Sequence, residues 1–299
     1  MAQLTYTALN SASANIWDTD QVALNYIYPT IEEVSVLIPG VTINPDVSVE
    51  VSGSTAYLYK LDDPTVTDGV AGRVLASKTA GNTKIDIILN QSFQVDEVIP
   101  NAAVETLSVD VVAPYLVNAA SAVANAWGRK GLAELINGGT SAGAALGAPD
   151  KQSIYSDIIT EIKNFDEANP QRSTGANYVI VSPSTLALLR TSTEFLQTSA
   201  TAGLIQDGLV GQLGGLSVVL SKQLATIDEA DVAAYSALTN VRFVLGAADA
   251  FAAPIVFRNF RVKDSEFYFG VKVQAEVPYG FKVLDANRIR FYADVATAA

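Results

Sequence analysis

The chain has 299 residues, 49% of them hydrophobic and 17% charged, with a mean hydropathy of +0.25; it can bury about three quarters of its unfolded surface and is too apolar for a disordered segment. It contains no Cys, no His and one Met, which removes zinc fingers, Fe–S clusters, disulfides and every His-dependent nucleophilic mechanism, and leaves carboxylate, Lys and Tyr chemistry with oxygen-ligand Ca or Mg sites. Lys plus Arg number 19 against 31 Asp plus Glu, a net charge of −12, opposite in sign to the clustered cations that sequence-independent binding of nucleic acid requires.

The beginning of the chain, Met1-Ala2-Gln3-Leu4-Thr5, has neither a basic nor a hydrophobic signal region, and no run of about 18 apolar residues occurs. A soluble, unexported protein is expected. Low charge for its length predicts that part of the apolar surface meets other chains. Residues 1–45 are weakly periodic; Asp18 or Asp20 caps a short helix through Gln21, Val22, Leu24 and Tyr26 that Pro29 stops, and Val34–Ile38 reads as a strand.

From Asp46 to Ile88 the texture changes to period-two alternation, with Val47, Val49 and Val51 on one side of a strand and Ser48, Glu50 and Ser52 on the other. Ala56-Tyr57-Leu58-Tyr59 and Lys84-Ile85-Asp86-Ile87-Ile88-Leu89 flank a turn-rich centre. The whole reads as an extended two-stranded ribbon, which cannot bury a face by itself and needs a partner surface.

Residues 101–137 carry the strongest helical signal: Val104, Leu107, Val111, Tyr115, Ala119, Ala122 and Ala126 recur at spacings of three and four, beside a stripe through Val123 and Trp127. Such a helix makes about ten turns and reaches about 55 Å. Pro114 predicts a kink near Ala113, and Asn137-Gly138-Gly139 ends the helix. A small-residue linker, Gly139–Gly147, leads to a second amphipathic helix capped by Asp150, with a face of Ile154, Ile158, Ile159, Ile162 and Phe165, stopped by Asn169-Pro170.

Tyr178–Val181 then reads as a buried strand, and Ser182-Pro183 as a cap followed by Pro at the first helical position, opening a helix through Leu186, Leu188 and Leu189. A Gly-rich segment, Gly203–Gly215, precedes a strand at Leu216–Leu220. Asp228–Tyr235 is a short crossing, Val241–Leu245 a strand, and from Ala253 onward β patterns dominate at Ile255–Phe257, Phe267–Val273, Gly280–Val283 and Arg288–Tyr292. The class is α+β, with helices and strands largely segregated.

Three motifs invite a functional reading. Gly139-Thr140-Ser141-Ala142-Gly143 spells a nucleophile elbow, but that chemistry needs a strand-to-helix turn and a His base, so a linker is preferred. Asp62, Asp63, Thr65, Thr67 and Asp68 suggest a calcium loop, yet counting from Asp63 puts Asp68 where the EF-hand needs Gly and Val74 where it needs an acid; a solvated hairpin tip is preferred. Gly208, Gly211, Gly214 and Gly215 lack dinucleotide spacing and read as tight turns. No catalytic, cofactor or metal residue is assigned. Arg129-Lys130 is read as complementing the negative pole at the helix end or as an interfacial ion pair. Tyr57 and Tyr59 share one strand face as sheet aromatics or contact anchors.

The order of parts resembles the major capsid proteins of tailed bacteriophages, the HK97-like fold shared with encapsulin shells. The stretches that carry the resemblance are Tyr178-Val179-Ile180-Val181-Ser182-Pro183-Ser184-Thr185-Leu186-Ala187-Leu188-Leu189-Arg190 and Gly208-Leu209-Val210-Gly211-Gln212-Leu213-Gly214-Gly215-Leu216-Ser217-Val218-Val219-Leu220-Ser221. The resemblance implies an N-terminal arm at 1–45, an extended loop at 46–92, a peripheral domain with a long kinked spine helix at 93–139, an axial α/β domain at 140–250 and a peripheral β-sheet at 251–299. It implies a structural, non-enzymatic protein that assembles as hexamers and pentamers into an icosahedral head enclosing double-stranded DNA without specific binding, made in the host cytoplasm and resident in the virion, with no membrane association. No charged helical scaffolding segment opens this sequence, which implies either a separate scaffolding protein or a mature form from which such a segment has been cleaved; a portal and, optionally, a decoration protein are the other expected partners. Subunit-contact candidates are Trp17, Tyr57, Tyr59, Arg73, Arg129, Lys130, Gly208, Gly211 and Gly214. The alternatives are an encapsulin-type compartment enclosing a cargo enzyme and, more distantly, a carboxylate-dependent hydrolase.

Overall fold

The computed structural model describes residues 36–49, 54–61, 81–100, 112–142, 150, 153–168, 176–192, 209–213, 215–228, 230–256, 258–264 and 270–298. Its first described residues do not continue the strand expected at Val34–Ile38. Instead Pro39-Gly40 turns the chain: the Ile38 carbonyl accepts from the backbone N–H groups of Val41, Thr42 and Ile43, and Gly40 takes a positive φ of 74°. The Thr42 hydroxyl accepts from the Ile38 N–H at 2.6 Å. Leu37 and Ile43 are thereby buried on the main core.

Strands β1 (Ser48–Val49), β2 (Thr55–Leu61) and β3 (Asn82–Ile88) form one antiparallel sheet in the order β1-β2-β3. Two residues later the chain begins β4 (Gln91–Pro100), which pairs along its whole length with β12 (Gly270–Tyr279) in a second sheet, β12 also pairing with β11 (Arg258–Asp264). The sequence reading names no strand at residues 93–100, and it does not single out β11 within the β-dominated region after Ala253.

Helix α1 spans Val112–Gly138, 27 residues and about 40 Å. Residues 101–111 lie outside the described residues, and with them the turn that a Pro114 kink would bend. The buried face of α1 is Ala120, Val123, Ala124, Trp127, Leu132, Leu135 and Ile136, so the stripe through Val123 and Trp127 forms the core contact. Ala119 and Ala126 are half-buried and Ala122 is exposed, a correction to the face expected from the sequence. Two glycines let α1 approach its neighbours closely. A Cβ on Gly131 would meet the Leu37 side chain, and one on Gly138 would meet Val283.

The larger sheet has six strands in the order β5-β14-β9-β6-β8-β7, where β5 is Thr140–Ser141, β6 Tyr178–Val181, β7 Leu209–Leu213, β8 Leu216–Leu220, β9 Tyr235–Gly246 and β14 Ile289–Ala298. β6 and β8 run parallel, with α3 (Pro183–Thr191) between them in the chain. Ser182 caps α3 as its sequence signal requires, its hydroxyl accepting from the Thr185 N–H at 3.3 Å. All four residues of β6 are buried, matching a central strand covered on both faces.

Residues 251–299 do not make a single sheet. β11 and β12 join β4, β10 (Phe251–Ala252) pairs with β13 (Lys282–Val283), and β14 crosses back to β9. Ile255 makes only an isolated bridge to Tyr279. The expected linker is also partly strand: Thr140 and Ser141 pair in parallel with Arg290 and Phe291.

Helix α2 (Ser153–Ala168) buries Ile154, Ile158 and Phe165, as its periodicity requires, together with Glu161. Asp150 and Ser153 cap it reciprocally, the Asp150 Oδ1 accepting from the Ser153 N–H at 2.8 Å and the Ser153 hydroxyl from the Asp150 N–H at 3.0 Å. The Glu161 carboxylate, 4% exposed, accepts from Arg290 Nε at 2.9 Å and from Asn164 at 3.0 Å. A second ion pair, Arg242 to Asp294 at 2.7 and 2.8 Å, joins β9 to β14 through both carboxylate oxygens. The Asp294 hydrogen bonds hold the Arg242 guanidinium pKa above its ordinary value.

Among the described residues no helix is long and apolar enough to cross a membrane. Among the described residues, the buried polar atoms of the core without a hydrogen-bond partner include Trp127 Nε1 and the Tyr178 hydroxyl, which lies against Gly246 in a fully buried Tyr178. Burial, with the charge of Asp249 second, pushes its pKa up.

Two stability measurements follow from this packing. Glu161→Ala strands the half-buried Arg290 charge and is expected to cost about 2–3 kcal/mol in urea unfolding, whereas Glu161→Leu combined with Arg290→Met recovers most of that loss. Tyr178→Phe removes a buried hydroxyl that bonds to nothing among the described residues, so stability is expected to stay level or rise by about 1 kcal/mol; a clear drop would show that the hydroxyl is satisfied.

Candidate subunit-contact surface

Two of the sequence candidates, Tyr57 and Tyr59, lie on the β2–β3 hairpin. Register pairs Tyr57 with Asp86, Tyr59 with Lys84 and Thr55 with Ile88, so these six residues share one face; Ala56, Leu58, Ile85 and Ile87 share the other. The second face is the inner one. Ala56, Leu58 and Ile87 are buried, and Ala56 and Ile87 cluster with Ala252, with Val47, Val49 and Leu284 packed around them. Half-burial of Val47 and Val49 fits the alternation expected there.

The outer face is left to solvent within the chain. Tyr59 is 58% exposed and Ile88 is 67% exposed, the two exposed large hydrophobic side chains among the described residues. The Tyr57 and Tyr59 rings meet edge-on at 5.6 Å. Lys84 Nζ sits 4.9 Å above the Tyr57 ring and 3.0 Å from the Asp86 carboxylate. These contacts hold both tyrosines in place before anything binds, which lowers the ordering cost of an interface built on them. The result is a rigid aromatic patch with a charged border, the composition of an interface core rather than of a catalytic cleft.

The ribbon is rooted firmly. Leu89 is buried and its N–H donates to the Ser54 carbonyl at 2.9 Å. Only Leu89 and Asn90 separate β3 from β4, so the hairpin leaves the body directly from the end of another sheet.

Arg129 and Lys130 have other partners. They lie two turns before the end of α1, whose last turn holds no basic residue, so they do not sit at the helix pole where the sequence reading put them. Arg129 reaches Asp231 at 2.8 Å. Lys130 donates to the Tyr279 hydroxyl at 2.6 Å and lies 5.4 and 5.3 Å from the Phe93 and Tyr279 ring centres. Both therefore act within the chain, clamping α1 to the loop before β9 and to the β4–β12 sheet.

Gly211 is not a tight turn. It lies inside β7, at a break in register with β8 between Leu209 and Gly211, which is where a strand glycine marks a bulge. The turn belongs to Gly215, at φ +89°. Trp17, Arg73, Gly208, Gly214 and the acidic loop at 62–68 lie outside the described residues.

The elbow-like motif is accounted for structurally: Thr140 and Ser141 are β5, and the Gly139 carbonyl accepts from the Tyr235 hydroxyl at 2.9 Å. Burial raises the Tyr235 pKa. Among the described residues no group of three or more His, Cys, Asp or Glu is placed to hold a metal ion.

No protein-family model and no curated protein sequence matches the chain. Solved structures do. A chain from Mycobacterium phage Che8 is 20% identical with a TM-score of 0.58, over 80% of this chain and 84% of that one. A chain in the capsid of cyanophage P-SCSP1u is 14% identical with a TM-score of 0.59, over 86% and 87%. A chain in the capsid of Myoviridae phage XM1 is 12% identical with a TM-score of 0.57, over 88% and 92%. The chain shares the α+β fold of these bacteriophage chains over most of the length of both partners.

Proposed function

We propose that this chain is the shell-forming subunit of a tailed-bacteriophage head, a structural protein whose copies assemble as hexamers and pentamers into a closed icosahedral container for double-stranded DNA. The observation that carries the reading is the fold shared with phage capsid chains over most of the length of both partners. In this reading residues 1–45 are the arm and 46–92 the extended loop, lying over a neighbour through the exposed Tyr59 face. Helix α1 is the spine of the peripheral domain, and the six-stranded sheet with α2 and α3 is the axial domain. β14 then belongs to the axial sheet, and β11 and β12 to the peripheral one.

The chemistry is compatible with that role. A net charge of −12 gives a wall that repels phosphate, so packed duplex is confined without being held. Association gains roughly 25 cal/mol per Å² of apolar surface covered, before ordering costs are subtracted. Closure then multiplies individually weak contacts. A scaffolding protein and a portal are the other partners this reading expects, with a decoration protein as an optional addition.

Expression of the chain, alone and with its scaffold, followed by negative-stain microscopy tests the proposal; closed particles are expected, and monomers under both conditions would overturn it. A variant in which Asn-Gly replaces residues 60–83, joining the register partners Tyr59 and Lys84 by a two-residue turn, keeps Ala56, Leu58 and Ile87 in place. It is expected to fold as a subunit and to form no closed shell. Tyr59→Ser removes an exposed ring and is expected to change subunit stability by less than about 0.5 kcal/mol while raising the protein concentration needed for assembly.

A further inference from the structure

Gly280 follows β12 and precedes β13, in a backbone conformation that any residue adopts: among the described residues the positive-φ glycines are Gly40 and Gly215. The need for glycine there is steric. A Cβ at 280 would lie 2.8 Å from the Ile88 carbonyl oxygen, 3.0 Å from the Leu89 side chain and 3.3 Å from that of Ile87, so the end of β3 rests directly on the Gly280 backbone. Gly280 itself cannot give way. Its N–H donates to the Pro254 carbonyl at 3.1 Å, Tyr279 before it bridges Ile255, and Phe281 after it stacks on Phe251 with ring centres 6.0 Å apart.

A second seat lies close by. Ala252, which pairs with Lys282 two residues past Gly280, is where Ala56 and Ile87 are buried. Beyond these two seats the ribbon stands off the body. A cleft of about 230 Å³ separates Leu58 and Lys60 of β2 from Asp249, Asp285 and Arg288. Attraction between Lys60 and carboxylates across the cleft changes slowly with separation, whereas the contact of packed atoms is steep. The inclination of the hairpin is therefore fixed at its root.

We infer that Gly280 is a positioning residue for assembly: the missing side chain at this place sets the angle at which the β2–β3 hairpin leaves the body, and with it the direction in which Tyr59 and Ile88 of the outer face are presented to other chains. The inference rests on the shell-forming reading and adds to it the residue that aims the ribbon. The lever is short at the seat and long at the tip. Moving the Ile88 carbonyl from 2.8 Å to an ordinary contact shifts the root by ~0.6 Å, which over a seat spacing of ~5 Å and about 20 Å of paired strand displaces the far end by about 2 Å. A side chain at 280 is thus felt far from where it sits.

The chain has no Cys, so spin labels go only where thiols are introduced. A label on Asn82→Cys, at the far end of β3, is paired in turn with one on Glu134→Cys of α1 and one on Asp166→Cys of α2, all exposed positions. Pulsed electron resonance on labelled chain diluted into unlabelled chain then reads two hairpin-to-body distances. Gly280→Ala is expected to shift at least one of them by roughly 1–2 Å, Gly280→Val to shift it further in the same direction, and both to change the diameter or lower the yield of particles. Gly131→Ala, whose Cβ would meet Leu37, is expected to lower stability and leave both distances unchanged, which separates positioning from packing. Two unmoved distances in folded Gly280 variants, or a moved distance with wild-type particles, overturn the inference and leave the shell-forming role standing; absence of particles from the unmodified chain overturns the role itself. If neither Gly280 variant folds, Ala252→Gly decides by loosening the second seat: a broadened distance distribution supports the inference and an unchanged one overturns it.

Discussion

The close approach of α1 to the layers around it is the constraint on which the rest of the molecule depends. Glycine at 131 lets Leu37 from the entering segment reach the helix surface, and glycine at 138 admits Val283 of β13. On the same helix Trp127, Leu132, Leu135 and Ile136 share one continuous core with side chains from both large sheets. A long helix has to be covered along its length by something, and here three separate pieces of sheet and the entering segment share the task. Each layer takes its position from the helix, so the hairpin, attached to β4, is aimed by the same packing.

β14 supplies the complementary restraint. It carries Arg290 to Glu161 on α2 and Asp294 to Arg242 on β9, and Tyr292 stacks on Phe243 with ring centres 5.3 Å apart. A slip of one residue would turn each of these side chains to the opposite face of the sheet. The ion pairs contribute modest net stability, since desolvation offsets much of their attraction, but they penalise every other register. In the shell-forming role proposed above, a chain that must present surfaces to neighbours at defined positions would gain more from a single alignment than from extra free energy.

Local signals were legible wherever one residue type answers one backbone need. Ser182-Pro183 reads as a helix start because a hydroxyl and a missing N–H suit the first turn, and Asp150 caps α2 for a related reason. The hairpin was visible from alternation alone. What escaped the reading depends on partners distant in sequence. Glu161 falls on the apolar face of α2 only because Arg290, more than a hundred residues later, meets it there. Arg129 and Lys130 look like a helix end until Asp231 and Tyr279 are seen beside them. The shift of the α1 face by one residue has the same origin: alanines at 119, 122 and 126 are periodic and apolar, but small side chains fit an open groove as well as a core. The turn at Pro39-Gly40 was in plain view, and the apolar run Val34–Ile38 obscured it.

The two-residue join at Leu89–Asn90 has a mechanical consequence. Tension applied to the hairpin passes into β4 with almost no slack, and β4 is held to β12 by pairing from Gln91 through Pro100. A pull directed along β4 would strain those rungs together instead of peeling them one after another from the end, which is the arrangement that resists rupture best. In the proposed shell, a wall made of such pieces would stretch little before it tears, since the force reaching any one ribbon is spread over the width of a sheet that packs on the longest helix among the described residues.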